Sequence, residues 1–286
     1  MKLASFIHAG QPRYGQVLAE RFLQPPADFL ARHPDLLSVL RAQALGELEQ
    51  ALQAGAVSVD AAQTQALPVI PNPGKLICVG LNYKTHVAET RRADSEHPSL
   101  FLRFNDSLAA DGDELLRPAF SERFDWEGEL AFVIGRGGRH IAKEDAFDHI
   151  AGYACFNDVS VRDWQRHTHQ FTPGKNFPGT APFGPWLVTR DEVADVRSLA
   201  LQTRLNGSVV QQASLGDLIF DIPTIVSYVS RFTPLSPGDV IATGTPGGVG
   251  DRREPPLYMK HGDVVEVEIT GLGVLRNRIG TDSAAV

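Results

Sequence analysis

The segment FDWEGELAFVIG carries the residues whose chemistry is easiest to read. It alternates as a strand does, which sets Glu127 and Glu129 on one face and Trp126, Gly128, Leu130 and Phe132 on the other. Two carboxylates then project side by side, about 7 Å apart at their Cα atoms. Near a core such a pair repels itself unless positive charge lies between, and a hard divalent cation supplies that charge. Taken alone, the pattern fits equally an exposed strand with both glutamates in water. A third acid, Asp158, ends the apolar run AGYACFND. Ser160 and Asp163 have capping-box spacing, so a helix is expected to begin there, with Arg162 and Gln165 on one face and near Asp158. Two glutamates and one aspartate form an oxygen-only donor set with open positions, which suits Mg2+ or Mn2+ and argues against zinc.

A base is also available. In LNYKTHVAET, His86 and Glu89 stand three residues apart, so on a helix or turn the carboxylate would touch and orient the imidazole. That arrangement serves a general base activating water, and it also describes an ordinary surface pair. Lys175, in the Gly/Pro-rich TPGKNFPGTAPFGPW, is either exposed or held to stabilise an enolate or carboxylate. ATGTPGGVGD, residues 242–251, follows an apolar strand and is expected to bring backbone amides and Thr245 to a ligand anion. DRREPP rather than a helix follows it, so it is no dinucleotide fingerprint. His167 and His169 lack the further ligands of a zinc site and read as pocket lining or surface.

The elements that must hold these groups are short strands broken by Gly/Pro turns from Lys75 onward. LICVG is a compact strand, Asn206-Gly207 marks a type I′ hairpin, and VVEVEIT pairs with GVLRNRI around Gly271–Gly273. DIPTIVSYVSRF reads as a helix capped by Asp221 with Pro223 in its first turn. Before the stiff connector PVIPNPGK, leucines 37, 40, 45, 48 and 52 recur at helical spacing, so residues 1–70 read as a small N-terminal region with helices. At 286 residues and 43% hydrophobic, with 26 Gly and 19 Pro, the chain suits a large mixed α+β fold dominated by β.

A net charge of −7 without a basic stripe offers no footprint for nucleic acid or an anionic membrane, so neither is expected as a partner. An acidic substrate must therefore be attracted locally. Cys78 and Cys155 lie in apolar runs and read as core residues, which fits a reducing cytoplasm.

Taken in order, NYKTHVAE, EGEL, NDVSVRDWQ, GKNF and TGTPGGVG resemble the motif series of the fumarylacetoacetate hydrolase superfamily over about residues 75 to 280. The resemblance implies a rolled, barrel-like mixed β-sheet of the fumarylacetoacetate hydrolase type over residues 71–286, behind a small N-terminal α/β region over 1–70, and a homodimer. It implies Glu127, Glu129 and Asp158 as ligands of Mg2+, with Mn2+ or Ca2+ as alternatives, and His86 with Glu89 as a water-activating dyad on a mobile lid. Lys175 is implied as catalytic, and Tyr83, Arg162, Gln165 and Thr245 as substrate contacts. Two departures leave the substrate open: Phe101-Leu102-Arg103-Phe104 replaces Phe-Leu-Lys-Pro, and Leu81 stands where some acylpyruvate-cleaving members have Arg.

The expected activity is metal-dependent hydrolysis of a carbon–carbon bond in a small 2-oxo or 1,3-dicarbonyl acid, with water deprotonated by His86 and the oxyanion balanced by Lys175. The alternative is decarboxylation, tautomerisation or hydration of a 2-oxo acid such as oxaloacetate on the same scaffold. A non-catalytic organic-acid-binding module is the third reading.

Overall fold

The computed structural model describes residues 1–90 and 95–282. Its centre is the strand Gly128–Ile134, paired antiparallel with Ile150–Asn157 on one side and Val240–Ala242 on the other. The sheet runs outward from there, through Leu76–Gly80 to the edge strand Ser99–Leu102, and through Ala181–Thr189 to Lys2–His8, Gln11–Leu18, Arg21–Gln24 and Val57–Asp60. The path has two ends, so the sheet is open rather than a closed barrel.

Every residue of Gly128–Ile134 is buried, because both faces are covered. Ala131 and Val133 pack under the helices Leu36–Arg41 and Leu45–Gly55 through Leu37, Leu40 and Leu48. Leu130 and Phe132 meet Leu201, Val267 and Leu275 of a second, five-stranded sheet, together with Val226 of the helix Ile222–Phe232. The half-exposed strand that the alternation allowed is thus replaced by a central one, where a polar side chain can face only a cavity or a partner.

The turn signal at Asn206-Gly207 and the cap signal at Asp221 hold. Asn206 and Gly207 take φ of 51° and 79° between the strands Ala200–Leu205 and Ser208–Ser214. Asp221 accepts from the Thr224 amide at 2.9 Å. The helical reading of the N-terminal region is correct for the leucine-rich part, whereas residues 2–24 form strands. Lys2 and Leu3 pair with Val188 and Leu187, so this segment extends the central sheet, and its Leu3 and Tyr14 share a core with Ala131 and Phe156. None of the described helices is long and apolar enough to cross a membrane.

Candidate functional site

Three segments deliver the acids. The chain breaks from strand geometry at Trp126 and Glu127, between Phe124–Asp125 and Gly128–Ile134, and Glu129 lies just inside the central strand. Asp158 follows the end of the adjacent strand, its amide bonded to the Glu127 carbonyl at 2.9 Å. The result is a buried cluster in which one carboxylate oxygen each from Glu127, Glu129 and Asp158 lies within 4.8 Å of the others.

The cluster is neutralised unevenly. Lys175 sends its ammonium to Glu127 Oε2 at 2.8 Å, Asp158 Oδ2 at 2.6 Å and the Asp158 carbonyl at 2.8 Å. An ammonium has three donors, and all three are occupied. Arg103 adds an ion pair to Asp158 Oδ1 at 2.5 Å, and Arg162 one to Glu127 Oε1 at 2.6 Å. Burial works to raise Glu127, but Lys175 and Arg162, with His86 adding to them, hold its carboxyl well below the usual carboxylate range. Glu129 differs. Burial, then repulsion from Asp158 and Glu127, push it well above that range, and among the described residues its partner is the Gly244 amide at 2.8 Å. A buried carboxylate beside two others, lacking an ion-paired cation of its own, is where a divalent ion fits, and the all-oxygen donor set suits a hard one.

Lys175 is not on an open loop. It ends the short helix Thr172–Lys175, and a Cβ on Gly174 would lie 2.3 Å from the Gln165 amide nitrogen, so glycine lets this helix press against Arg162–Gln165. The capping box expected at Ser160 and Asp163 does not form. Ser160 belongs to a strand paired with Asp125 and its hydroxyl turns to Glu127 Oε1 at 3.3 Å, while Asp163 accepts from Ser121 at 2.8 Å. Tertiary acceptors and donors outcompete the local cap.

His86 and Glu89 meet as their spacing predicts, on the helix Lys84–Thr90, with Nδ1 at 2.7 Å from Glu89 Oε1. A carboxylate at that distance favours the tautomer with the proton on Nδ1, leaving Nε2 as the basic nitrogen. The segment before this helix is pinned by Asn82, whose amide donates to the carbonyls of Phe220 and Thr243 at 2.9 and 2.8 Å. Of the expected lid, residues 91–94 lie outside the described residues.

The glycine loop plays a different part from the one its sequence suggested. Its amides are spent on the protein's own groups: Gly244 on Glu129, Gly247 on Thr85 Oγ1, Gly248 on Glu89 Oε2 at 2.8 Å, and Gly250 on Asp125 Oδ1 at 2.8 Å. Gly244 sits at φ +102°, where a Cβ would come within 2.8 Å of Asn82 Cβ and the Val79 carbonyl. Thr245 donates to the Gly128 carbonyl at 2.9 Å and accepts from Gln211 at 2.8 Å. The loop therefore acts as a splint for base and acids.

One cavity of about 470 Å³ joins these groups, lined among others by His86, Glu127, Glu129, Arg162, Gln165, Lys175 and Thr245. Exposed His169 also lines it, while His167 packs on Trp164. Asp158 and Glu89 stand behind that lining, joined to it through Lys175 and His86. Tyr83 does not reach the cavity wall; it is buried, bridged to Leu218, with no partner for its hydroxyl among the described residues. Arg162 binds Asp125 Oδ2 at 2.7 Å and Gln165 Oε1 at 3.0 Å, and so aims the Gln165 amide rather than standing free. Sequence reasoning missed Asp125, although Asp125, Glu127 and Glu129 form a period-two run, and it treated Arg103 only as a departure. Cys78 and Cys155 are free and buried, and burial chiefly pushes the Cys155 thiol up to about 12.

The family model for the fumarylacetoacetate hydrolase C-terminal region matches residues 75–280. The chain belongs to the fumarylacetoacetate hydrolase family. It is an enzyme of that family, similar to the fumarylacetoacetate hydrolase of psychrophilic Exiguobacterium antarcticum at TM-score 0.87 and 35% identity, covering 99% of this chain and 100% of that one. It also resembles the maleylpyruvate hydrolase of Sphingobium sp. SYK-6 solved with manganese(II) and pyruvate, at TM-score 0.81 and 29% identity, covering 99% and 100% of the two chains. The mitochondrial oxaloacetate tautomerase of Xenopus laevis is 40% identical over 240 residues, 81% of this chain and 75% of that protein. This likeness, stronger in identity than that to the two hydrolase structures, corrects the expectation of carbon–carbon hydrolysis. The correction has a plain physical basis: a His–Glu pair whose histidine lines a cavity with a carboxylate cluster is as able to take a proton from carbon as from water, so its presence does not select hydrolysis.

Proposed function

We propose that this chain is a divalent-metal-dependent keto–enol tautomerase acting on a small 2-oxo dicarboxylate such as oxaloacetate. The observation that carries the reading is the cavity lined by His86 together with Glu127 and Glu129, taken together with the tautomerase relative. When bound by Glu127, Glu129 and Asp158, Mg2+ or a similar ion would supply Lewis acidity at the substrate's keto oxygen. The protein's own part is the proton. His86 Nε2 takes it from the carbon beside the keto group as the C–H electron pair moves to form the enol double bond, and the imidazolium then gives a proton to the keto oxygen, directly or through water, which returns His86 to its neutral form. Glu89 holds the imidazole in the productive tautomer and steadies its positive charge. Lys175 and Arg103 are assigned to fixing Asp158 and Glu127, because their donors are engaged there. Gln165, aimed by Arg162, is assigned to substrate oxygen.

The test follows the loss of enol absorbance of oxaloacetate in the presence of Mg2+. Wild-type protein should accelerate it, and His86→Ala should lower kcat by about 10²- to 10⁴-fold with metal binding unchanged. Full rate in the variant, or no acceleration by the wild type, would remove the assignment. A homodimer is proposed as well. The exposed Leu102, Phe104 and Phe232 along one apolar groove support it, and sedimentation at several concentrations tests it. The unpaired buried cysteines support a reducing compartment such as the cytoplasm.

A further inference from the structure

The cations lining the cavity are not equally available. Lys175 is consumed by Glu127 and Asp158, and Arg162 by Asp125, Glu127 and Gln165. Arg166 is bound to Asp251, which also accepts from the Tyr258 hydroxyl at 2.9 Å. Arg252 is the exception: it donates no hydrogen bond among the described residues, and its one ion-pair contact is 3.5 Å, to an Asp251 oxygen already taken by Arg166. Its side chain is 35% exposed, open to the cavity and to solvent.

Arg252 is nonetheless firmly placed. It closes the 3-10 turn Gly250–Arg252, whose first two amides bind Asp125 at 2.8 and 3.0 Å. The same carboxylate grips Arg162 at 2.7 Å, so one buried acid fixes both the arginine beside the acid cluster and the start of the turn that presents Arg252. A guanidinium with its fork unspent, held by backbone on a cavity wall, is suited to a planar carboxylate.

We propose that Arg252 is a specificity-determining residue that receives the second carboxylate of the substrate, so that the site selects 2-oxo dicarboxylates over 2-oxo monocarboxylates. The inference rests on the tautomerase reading for where the 2-oxo acid end lies, but it is tested by binding alone. The cavity of about 470 Å³ is large enough for such a diacid. In a chain of net charge −7, a dedicated cation is also what an incoming dianion requires.

The test is calorimetric titration of the Mg2+-loaded protein with 2-oxoglutarate and with 2-oxopentanoate, which differ by a carboxylate replaced with a methyl group. Wild type should prefer 2-oxoglutarate. Arg252→Gln should weaken 2-oxoglutarate by about 10- to 100-fold and 2-oxopentanoate by less than about 3-fold, the difference expected for one charge-assisted hydrogen-bonded pair. Arg252→Lys should restore part of the loss, and equal melting temperatures of the variants exclude misfolding. Equal weakening of both ligands, no weakening, or a wild type that does not distinguish them overturns the proposal. Failure of wild-type enol-oxaloacetate turnover would instead overturn the tautomerase reading, since the binding ratio does not depend on turnover.

Discussion

Glu127 and Glu129 are two residues apart, both buried, and face opposite electrostatic worlds. On the Glu127 side Lys175 and Arg162 each make a direct ion pair, shared with Asp158 and Asp125, while on the Glu129 side the partner among the described residues is one backbone amide, the nearest charges are acids, and Lys175 acts only at a distance. Burial alone is therefore not what makes a carboxylate a metal ligand. The unmet demand sits at Glu129, and the cationic side serves to keep Glu127 and Asp158 ionised and oriented, as the partners behind metal ligands do.

Removing charge from each side should break the comparison in opposite directions. Glu127→Gln leaves Lys175 with Asp158 and Arg162 with Asp125 as their remaining carboxylate partners, and the lost charge should destabilise the metal-free protein by about 3 kcal/mol, read from denaturant unfolding. A loss under about 1 kcal/mol would mean that Asp158 and Asp125 alone satisfy the two cations. Gly244→Ala should cost about 1–3 kcal/mol through strain at positive φ, and it should also weaken Mg2+ binding, because the Gly244 amide is what holds Glu129. If stability falls but metal affinity does not, the splint role of the loop is wrong.

The contrast also sets a pH dependence. Glu129 has a folded-state pKa raised above its unfolded value, so without metal its contribution is complete below the unfolded value and is lost as pH rises through the folded one. Glu127 is depressed, so its contribution is present above the unfolded value and lost as pH falls through the folded one. The melting temperature in chelator should accordingly fall on both sides of an intermediate pH, and Mg2+ should lift the alkaline limb only. A metal-free curve flat on that limb would contradict the assignment. The smallest effect is expected of Thr85→Ala, about 0.5–1.5 kcal/mol, because it removes only the contact from Gly247 to the helix carrying His86.

What the sequence revealed was local or ordered in motif. The Asn206-Gly207 turn, the Asp221 cap and the His86–Glu89 pair are decided within a few residues, and each appears as its spacing predicts. The acid triad was readable because its members lie at strand ends: Glu127 just before the central strand, Glu129 just inside it and Asp158 just after the adjacent one, although the continuous strand expected through Glu127 is broken there. Other features depend on partners far along the chain. Ser160 and Asp163 are drawn from capping by Glu127 and Ser121, the glycine-loop amides are claimed by Glu89, Asp125 and Glu129, and Lys2–His8 finds its place against Ala181–Thr189. The choice between hydrolysis and tautomerisation was equally illegible, since both use the same base, acids and cavity.

The most direct measurement is Mg2+ titration of wild type and Glu129→Gln by calorimetry, with metal-free stability measured beside it. The account predicts that wild type binds one ion per chain, and that the variant loses that binding while its metal-free form is at least as stable as wild type above neutral pH. A variant that binds Mg2+ as wild type does, or a metal-free wild type that outlasts the variant at alkaline pH, would contradict it.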